Sequence, residues 1–180
     1  MLLFTSLFSA EGGFGQGDEE PIYETVGEPN ADGSCSLRAF EANNLLGQRY
    51  EVTATGLIVS VSAYFNATTA ANFRGAVYAD SAGPVPGALL AQTAQAAVGG
   101  TIGWHEFDLL TSVDVEDGEC VWIAFNSSAS INSCSGSPLG ATHRRLRTLS
   151  FAMALPDPFA STANYSNTRG MRMKIWTNPP

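Results

Sequence analysis

The sequence predicts an all-β domain, a sandwich or barrel of short strands. Three observations carry this. Apolar and polar residues alternate with period two along several segments. Turn signals rich in Gly, Pro, Asn and Ser recur about every 8–12 residues between them. Charged residues are only 14% of the 180, too few for long solvated helices. A chain of this length forms one domain of ordinary size with a sizeable core.

In chain order, MLLFTSLFSA is apolar, and EGGFGQGDEEP after it is glycine-rich and then acidic. We read residues 1–20 as an apolar arm on a flexible hinge. Phe4, Leu7, Phe8 and Phe14 are its candidate anchoring residues, and a disordered terminus is the plain alternative. The arm is short for a signal peptide and has no positive start, and a cleaved secretory chain would not keep Met1. Residues 21–180 are the expected sandwich. In GLIVSVSAYFN, the set Leu57, Val59, Val61, Ala63 and Phe65 alternates with Ile58, Ser60, Ser62 and Tyr64, the pattern of a half-buried strand. NFRGAVYAD turns Phe73 and Val77 inward and Arg74 and Tyr78 outward. The two prolines of SAGPVPGALL mark a turn. LLAQTAQAAV, confined between glycines and prolines, reads as strand despite its alanines. GWHEFDLL and ECVWIAFN are strands on either side of VEDGE, which reads as a polar hairpin turn with Gly118 at a positive φ. MRMKIWT is a terminal strand, with Met171, Met173 and Ile175 on one face and Arg172, Lys174 and Trp176 on the other.

The net charge of −8 is unevenly spread. Residues 1–32 hold seven acidic side chains and no Lys or Arg, and the remainder is close to neutral. Such a body has no field that favours nucleic acid. No segment is long and apolar enough for a transmembrane helix. Cys35, Cys120 and Cys134 are an odd number and match no zinc spacing. If CVWIAFNSSASINSC folds back around Asn126–Ser128, Cys120 and Cys134 lie opposite across a hairpin. They are then either a disulfide or two small apolar residues in a core.

Enzyme motifs are missing. The only histidines are His105 and His143, WHEFD is not H-E-x-x-H, and there is no G-x-S-x-G, P-loop or dinucleotide fingerprint. Glu106 and Asp108 share a strand face, as the carboxyls of a glycosidase must share a site, but such a pair is ordinarily just solvated. We expect a protein that is not an enzyme and holds no cofactor. The one metal weighed is a structural calcium ion at Asp114 and Asp117, against a polar turn that binds nothing. Outward aromatics can stack on sugar rings, so Tyr64, Tyr78, Trp176 and the loop residue Tyr165 are candidate glycan contacts. Trp104 and Trp122 are assigned to core packing. In THRRLRTL, Arg144, Arg145 and Arg147 are candidates for gripping an acidic partner surface, such as the GDEEP of a neighbouring subunit. A solvated loop is the alternative.

The order of RYEVTATGLIVSVSAYFN, FRGAVYADSAGPVPGALLAQT, GWHEFDL, VDVEDGECVWIAFN and ALPDPFASTANYSNTRGMRMKIW resembles a jelly-roll β-sandwich domain similar to carbohydrate-binding modules. Such domains recur in bacterial and archaeal surface proteins and in virion surface proteins of tailed phages. The resemblance covers about residues 22–177. It implies a jelly roll of two antiparallel sheets, here behind an extended N-terminal arm, and no catalytic residue travels with it. The expected function is structural or adhesive, on the surface of a larger assembly. A phage virion is the concrete version, with the chain as a capsid decoration or tail-associated protein anchored by its arm. Its partners would be capsid or tail proteins, copies of itself and a host-surface glycan. Two alternatives remain: a secreted or cell-surface carbohydrate-binding module, and a filament or surface-layer subunit. The module would carry an aligned aromatic platform and a Cys120–Cys134 disulfide.

Overall fold

The computed structural model describes residues 20–27, 36–66, 70–81, 85–135, 143–160, 163–164 and 169–179. The anchoring candidates Phe4, Leu7, Phe8 and Phe14, together with Cys35 and Tyr165, lie outside these residues. The strands in chain order are β1 (Tyr23–Gly27), β2 (Ser36–Phe40), β3 (Asn44–Glu51), β4 (Gly56–Asn66), β5 (Ala71–Asp80), β6 (Pro86–Gln92) and β7 (Ala96–Val98). They continue with β8 (Ile102–Val115), β9 (Cys120–Ser127), β10 (Ile131–Ser135), β11 (His143–Thr148), β12 (Ala163–Asn164) and β13 (Met171–Trp176). The described residues contain no helix. The strands make two antiparallel sheets that pack as a sandwich, the all-β fold that the alternation predicts. In the first sheet β1, β13, β4 and β8 lie side by side. β10 continues along β4 beyond the end of β13, with β2 outside it. The second sheet runs β12–β11–β3–β9–β5–β6, with β7 also beside β5.

The apolar residues of each strand meet between the sheets. Ile58, Val61 and Phe65 of β4 and Met171, Met173 and Ile175 of β13 pack against Phe73, Val77, Ile123 and Phe125 of the second sheet. The ring centroids of Phe65 and Phe73 are 4.2 Å apart. Gly75 has no side chain because there is no room for one: a Cβ there would lie 2.7 Å from Val61 Cγ2. β9 is central in its sheet and buried on both faces, which explains its continuous apolar run VWIAF.

Three sequence expectations need correction here. In β4 the inward set is Ile58, Val61, Ala63 and Phe65, while Leu57 and Val59 are only half-buried. A bulge is the cause. Between the pairs Ile58–Val113 and Ser60–Asp108, β4 carries one residue and β8 carries four, which shifts the alternation by one. Within that bulge Leu109 bridges to Thr93, just past the end of β6, and Leu110 protrudes, 66% exposed. Second, VEDGE does not close a hairpin. It carries the chain from β8 in the first sheet to β9 in the second, with Gly118 at φ 82° as expected. Third, β9 and β10 belong to different sheets, so Cys120 and Cys134 are not opposite across a hairpin. Their backbone partners are Glu51 and Leu37, and Cys120 is a free thiol.

The second sheet also has a packed outer face. The segment from Leu149 to Ala160 crosses it as a strap, and Leu149, Leu155 and Phe159 bury Leu45, Tyr78, Trp122 and Ala124 beneath them. Asn43, in the left-handed region at φ 59°, sets the start of the strap. Its carbonyl accepts from Leu149 N–H at 2.7 Å and its side-chain oxygen from Phe151 N–H at 3.0 Å. At the far end, Asp157 accepts from Leu89 N–H at 2.9 Å, and Phe159 N–H donates to Gly87 O at 3.1 Å. These two bonds occupy backbone groups of β6, an edge strand that would otherwise invite pairing with another chain.

Candidate functional site

The outer face of the first sheet is where the described chain is most open, because no described segment crosses it as the strap crosses the second sheet. Register defines its rows. Tyr23, Trp176, Leu57 and Asp114 lie side by side across β1, β13, β4 and β8. The next row is Thr25, Lys174, Ser60 and Asp108, and then Gly27, Arg172, Ser62 and Glu106. Tyr64 and Trp104 follow.

The groups on this face are linked. Lys174 Nζ is 3.1 Å from Glu106 Oε1 and 4.7 Å from the centre of the Tyr23 ring. Ser60 Oγ donates to Glu106 Oε1 at 2.5 Å. The Arg172 guanidinium lies 4.1 Å over Trp104, whose ring meets Tyr64 edge-on at 5.7 Å and 87°. Partial burial pushes the Glu106 carboxyl up, but the Ser60 hydroxyl and the Lys174 ammonium outweigh it and hold it below its ordinary value. Arg172 moves the other way, lowered by burial against the opposing pull of Glu106. At the rim, Asn178 Oδ1 accepts from Trp176 Nε1 at 2.9 Å and from Ile22 N–H at 2.6 Å, which ties the start of β1 to the end of β13.

The structure sorts the predicted site residues. Trp176 is on this face and half-buried. Tyr64 points to it but is only 7% exposed, beneath the edge of Trp104. Tyr78 leaves the glycan set: it does face outward from its sheet, but the strap covers it completely, and Phe159 packs edge-on at 5.2 Å. Burial pushes its phenol well up, and the hydroxyl has no hydrogen-bond partner among the described residues. The basic cluster is a strand, not a loop. Alternation in β11 puts Arg145 and Arg147 on one side and Arg144 on the other, so the three do not form one grip. Asp114 and Asp117 fall at the end of β8 and in the following turn. There Glu116 N–H is held by Glu119 Oε2 and Asp117 N–H by Thr55 Oγ1. Among the described residues no three His, Cys, Asp or Glu side chains come together as a metal site would need. His105 faces the core side, its ring 5.8 Å from Phe65.

Trp104 is the residue that sequence reasoning misplaced. Its assignment to the core followed the rule that tryptophans in sandwich strands are buried, and Trp122 obeys that rule at 0% exposure. Trp122 donates its indole N–H to Asp80, which also receives the two-pronged guanidinium of Arg49 at 2.9 and 2.7 Å. The signal for Trp104 was present in β8, because Trp104 has the same parity as Glu106 and Asp108. The described residues also contain no helix long and apolar enough to cross a membrane. Neither a comparison with protein-family models nor a search of curated proteins finds a match to this chain.

Proposed function

We propose that this chain is a non-enzymatic structural or adhesion protein on the surface of a larger assembly, with a phage virion as the setting and the residues before β1 as its anchor. The observation that carries this is the asymmetry of the sandwich. One outer face is sealed by the chain's own strap, and the other is left open with linked aromatic, cationic and carboxylate groups. A broad flat face of this kind suits contact with another macromolecule better than turnover of a small substrate. The state of Glu106 supports the same reading. A general acid needs its carboxyl raised toward neutrality, and this one is lowered and ion-paired. The test compares the full chain with a variant lacking residues 1–20 in native particle fractions. Co-sedimentation of the full chain, with the shortened chain left soluble, is the expected result. Two soluble monomers would overturn it.

A second reading, a carbohydrate-binding module, is favoured by one observation: Tyr23, Trp176 and Trp104 share a face. Against it, Cys120 is a free thiol, not half of a disulfide. A glycan array on the isolated protein tests it, and binding that is lost in Trp104→Ala would establish it.

A further inference from the structure

We propose that the outer face of the first sheet is a twofold interface, and that its occupant is the same face of a second copy of this chain. This rests on the reading of that face as a contact surface and names what it contacts.

The argument is the placement of charge. β13 presents Arg172 and Lys174, and β8 presents Glu106 and Asp108. Between them β4 presents Ser60 and Ser62, both buried and small. The face is therefore a strip of cations and a strip of carboxylates on either side of β4, with Lys174 and Glu106 leaning across it to pair over Ser60. The rows are in register: Lys174, Ser60 and Asp108 in one, Arg172, Ser62 and Glu106 in the next.

Two such faces can be stacked with a twofold axis running along β4 between them. That operation exchanges β13 with β8 and keeps each row. Lys174 then lies over Asp108 of the partner subunit, and Arg172 over Glu106 of the partner subunit. In the middle the Lys174 and Glu106 side chains meet over Ser60, so the two copies touch through these charged side chains and not through the serines. An axis running across the strands would instead bring Lys174 over Arg172 of the partner subunit, like charge on like. The pattern thus selects one isologous arrangement. Stacked sheets sit about 10 Å apart, a gap that long Lys, Arg and Glu side chains span from both sides.

Exposure fits this arrangement. Lys174 and Glu106 keep 37% and 43% of their side-chain surface in solvent. Asp108 is exposed and makes no ion pair among the described residues. Stacking gives Asp108 a cation and extends the Lys174–Glu106 pair, which spans two rows, into a chain of four charges with Asp108 of the partner subunit and Arg172 of the partner subunit. Tyr23, Trp176 and Trp104 stand around the charges and help to exclude water from them.

Area sets the strength. The axis along β4 stacks three strands of each copy, β13, β4 and β8, and at about 4.8 Å spacing and roughly 20 Å of length they give a footprint of roughly 300 Å² per copy. That is well under half of the roughly 800 Å² that each partner contributes to a standard stable interface. The dimer is accordingly weak, concentration-dependent and salt-sensitive. Copies held close together on an assembly would populate it, because tethering raises their effective concentration. A saccharide chain on the same face would use the rings but would not require cations and carboxylates to match row by row.

The experiment is sedimentation of the full chain from low micromolar to millimolar concentration, at low and high salt. The weight-average mass should rise toward twice the monomer value and fall back with salt. Asp108→Lys and Lys174→Asp should each weaken association by about tenfold or more, since each sets like charges face to face. Circular dichroism melts show whether each variant is folded. An equimolar mixture of the two variants restores opposite charges at both positions, so it should recover association as a one-to-one heterodimer by native mass spectrometry. The double variant Asp108→Lys/Lys174→Asp should also recover. A wild type that stays monomeric at the highest concentration overturns the proposal. So do single variants that associate like wild type, or a mixture that stays monomeric. If the monomeric wild type still co-sediments with particles, only this inference fails and the surface-protein reading stands. If the monomer instead binds glycans through Trp104, the face belongs to a saccharide.

Discussion

Phe159→Ala would remove the ring that closes the strap over the second sheet. Phe159 is 1% exposed and lies against Tyr78, Trp122 and Leu155 in one buried cluster. Gly47 lies directly beneath the ring, so close that a Cβ there would already be in contact with it at 3.4 Å, and it has no side chain that could move into the gap. Truncating a buried phenylalanine costs about 3–5 kcal/mol, through lost transfer energy and the cavity that remains. The edge-on contact with Tyr78 adds about 0.5–1.5 kcal/mol to what is lost. Relaxation of the strap offsets part of this, because a surface segment collapses more readily than the interior of a sandwich. We therefore expect a loss of about 3 kcal/mol. Urea denaturation followed by circular dichroism measures it, and the slope with denaturant should match wild type if strap and sandwich unfold together. A loss under about 1 kcal/mol would refute the reasoning, since Phe159 would then not be seated in a packed second core.

Other outcomes follow from single groups. Gly75→Ala places a Cβ 2.7 Å from Val61 Cγ2 and 3.0 Å from Phe125 Cε1, and should cost about 1–3 kcal/mol in the same denaturation assay. Tyr78→Phe deletes a buried hydroxyl without a partner among the described residues, and should raise stability by about 1 kcal/mol. The same variant should change the alkaline limb. The folded phenol is held well above its ordinary value, so only the unfolded chain ionises near pH 10. Wild type then loses stability as pH rises past about 10, and Tyr78→Phe is spared that part. Glu106 works in the opposite direction. Its folded value lies below the unfolded one, so its contribution is present above about pH 4 and is lost as pH falls through the folded value. Solvent screening keeps that contribution to about 0.3–0.5 kcal/mol, read as a shallower acid limb in thermal melts of Glu106→Gln.

Strand alternation made much of this fold legible. Met171, Met173 and Ile175 are buried as their spacing says, and Arg172, Lys174 and Trp176 share the other face. Local pattern failed where a distant segment or an inserted residue intervened. The outward parity of Tyr78 was correct, but sequence gives no sign that residues 149–160 return to cover it. The inward parity of Leu57 and Val59 was lost to a bulge that only the pairing with β8 reveals. The open face of the first sheet was half legible. Lys174, Trp176 and Glu106 could be placed on outward faces from parity alone, whereas the order β1–β13–β4–β8 that brings them together joins the two ends of the chain. No local signal encodes that adjacency. Trp104 was recoverable from its parity with Glu106, but a statistical preference for buried tryptophan outweighed the pattern.

β10 and β13 meet β4 end to end. Phe65 pairs with Ser133, Tyr64 N–H bonds to Gly170 O, and Ala63 pairs with Met171, all on the same side of β4 and with both partners running the same way. Geometrically they are one strand cut in two, and β11, the strap and β12 come between the halves in the chain. Gly170 opposite Tyr64 takes the place on this line that follows Ser133 opposite Phe65, so the line of the first sheet is completed only after the chain has left it to form β11, the strap and β12 of the second. The two sheets are therefore interleaved in the chain, and neither can be completed before the other has been started.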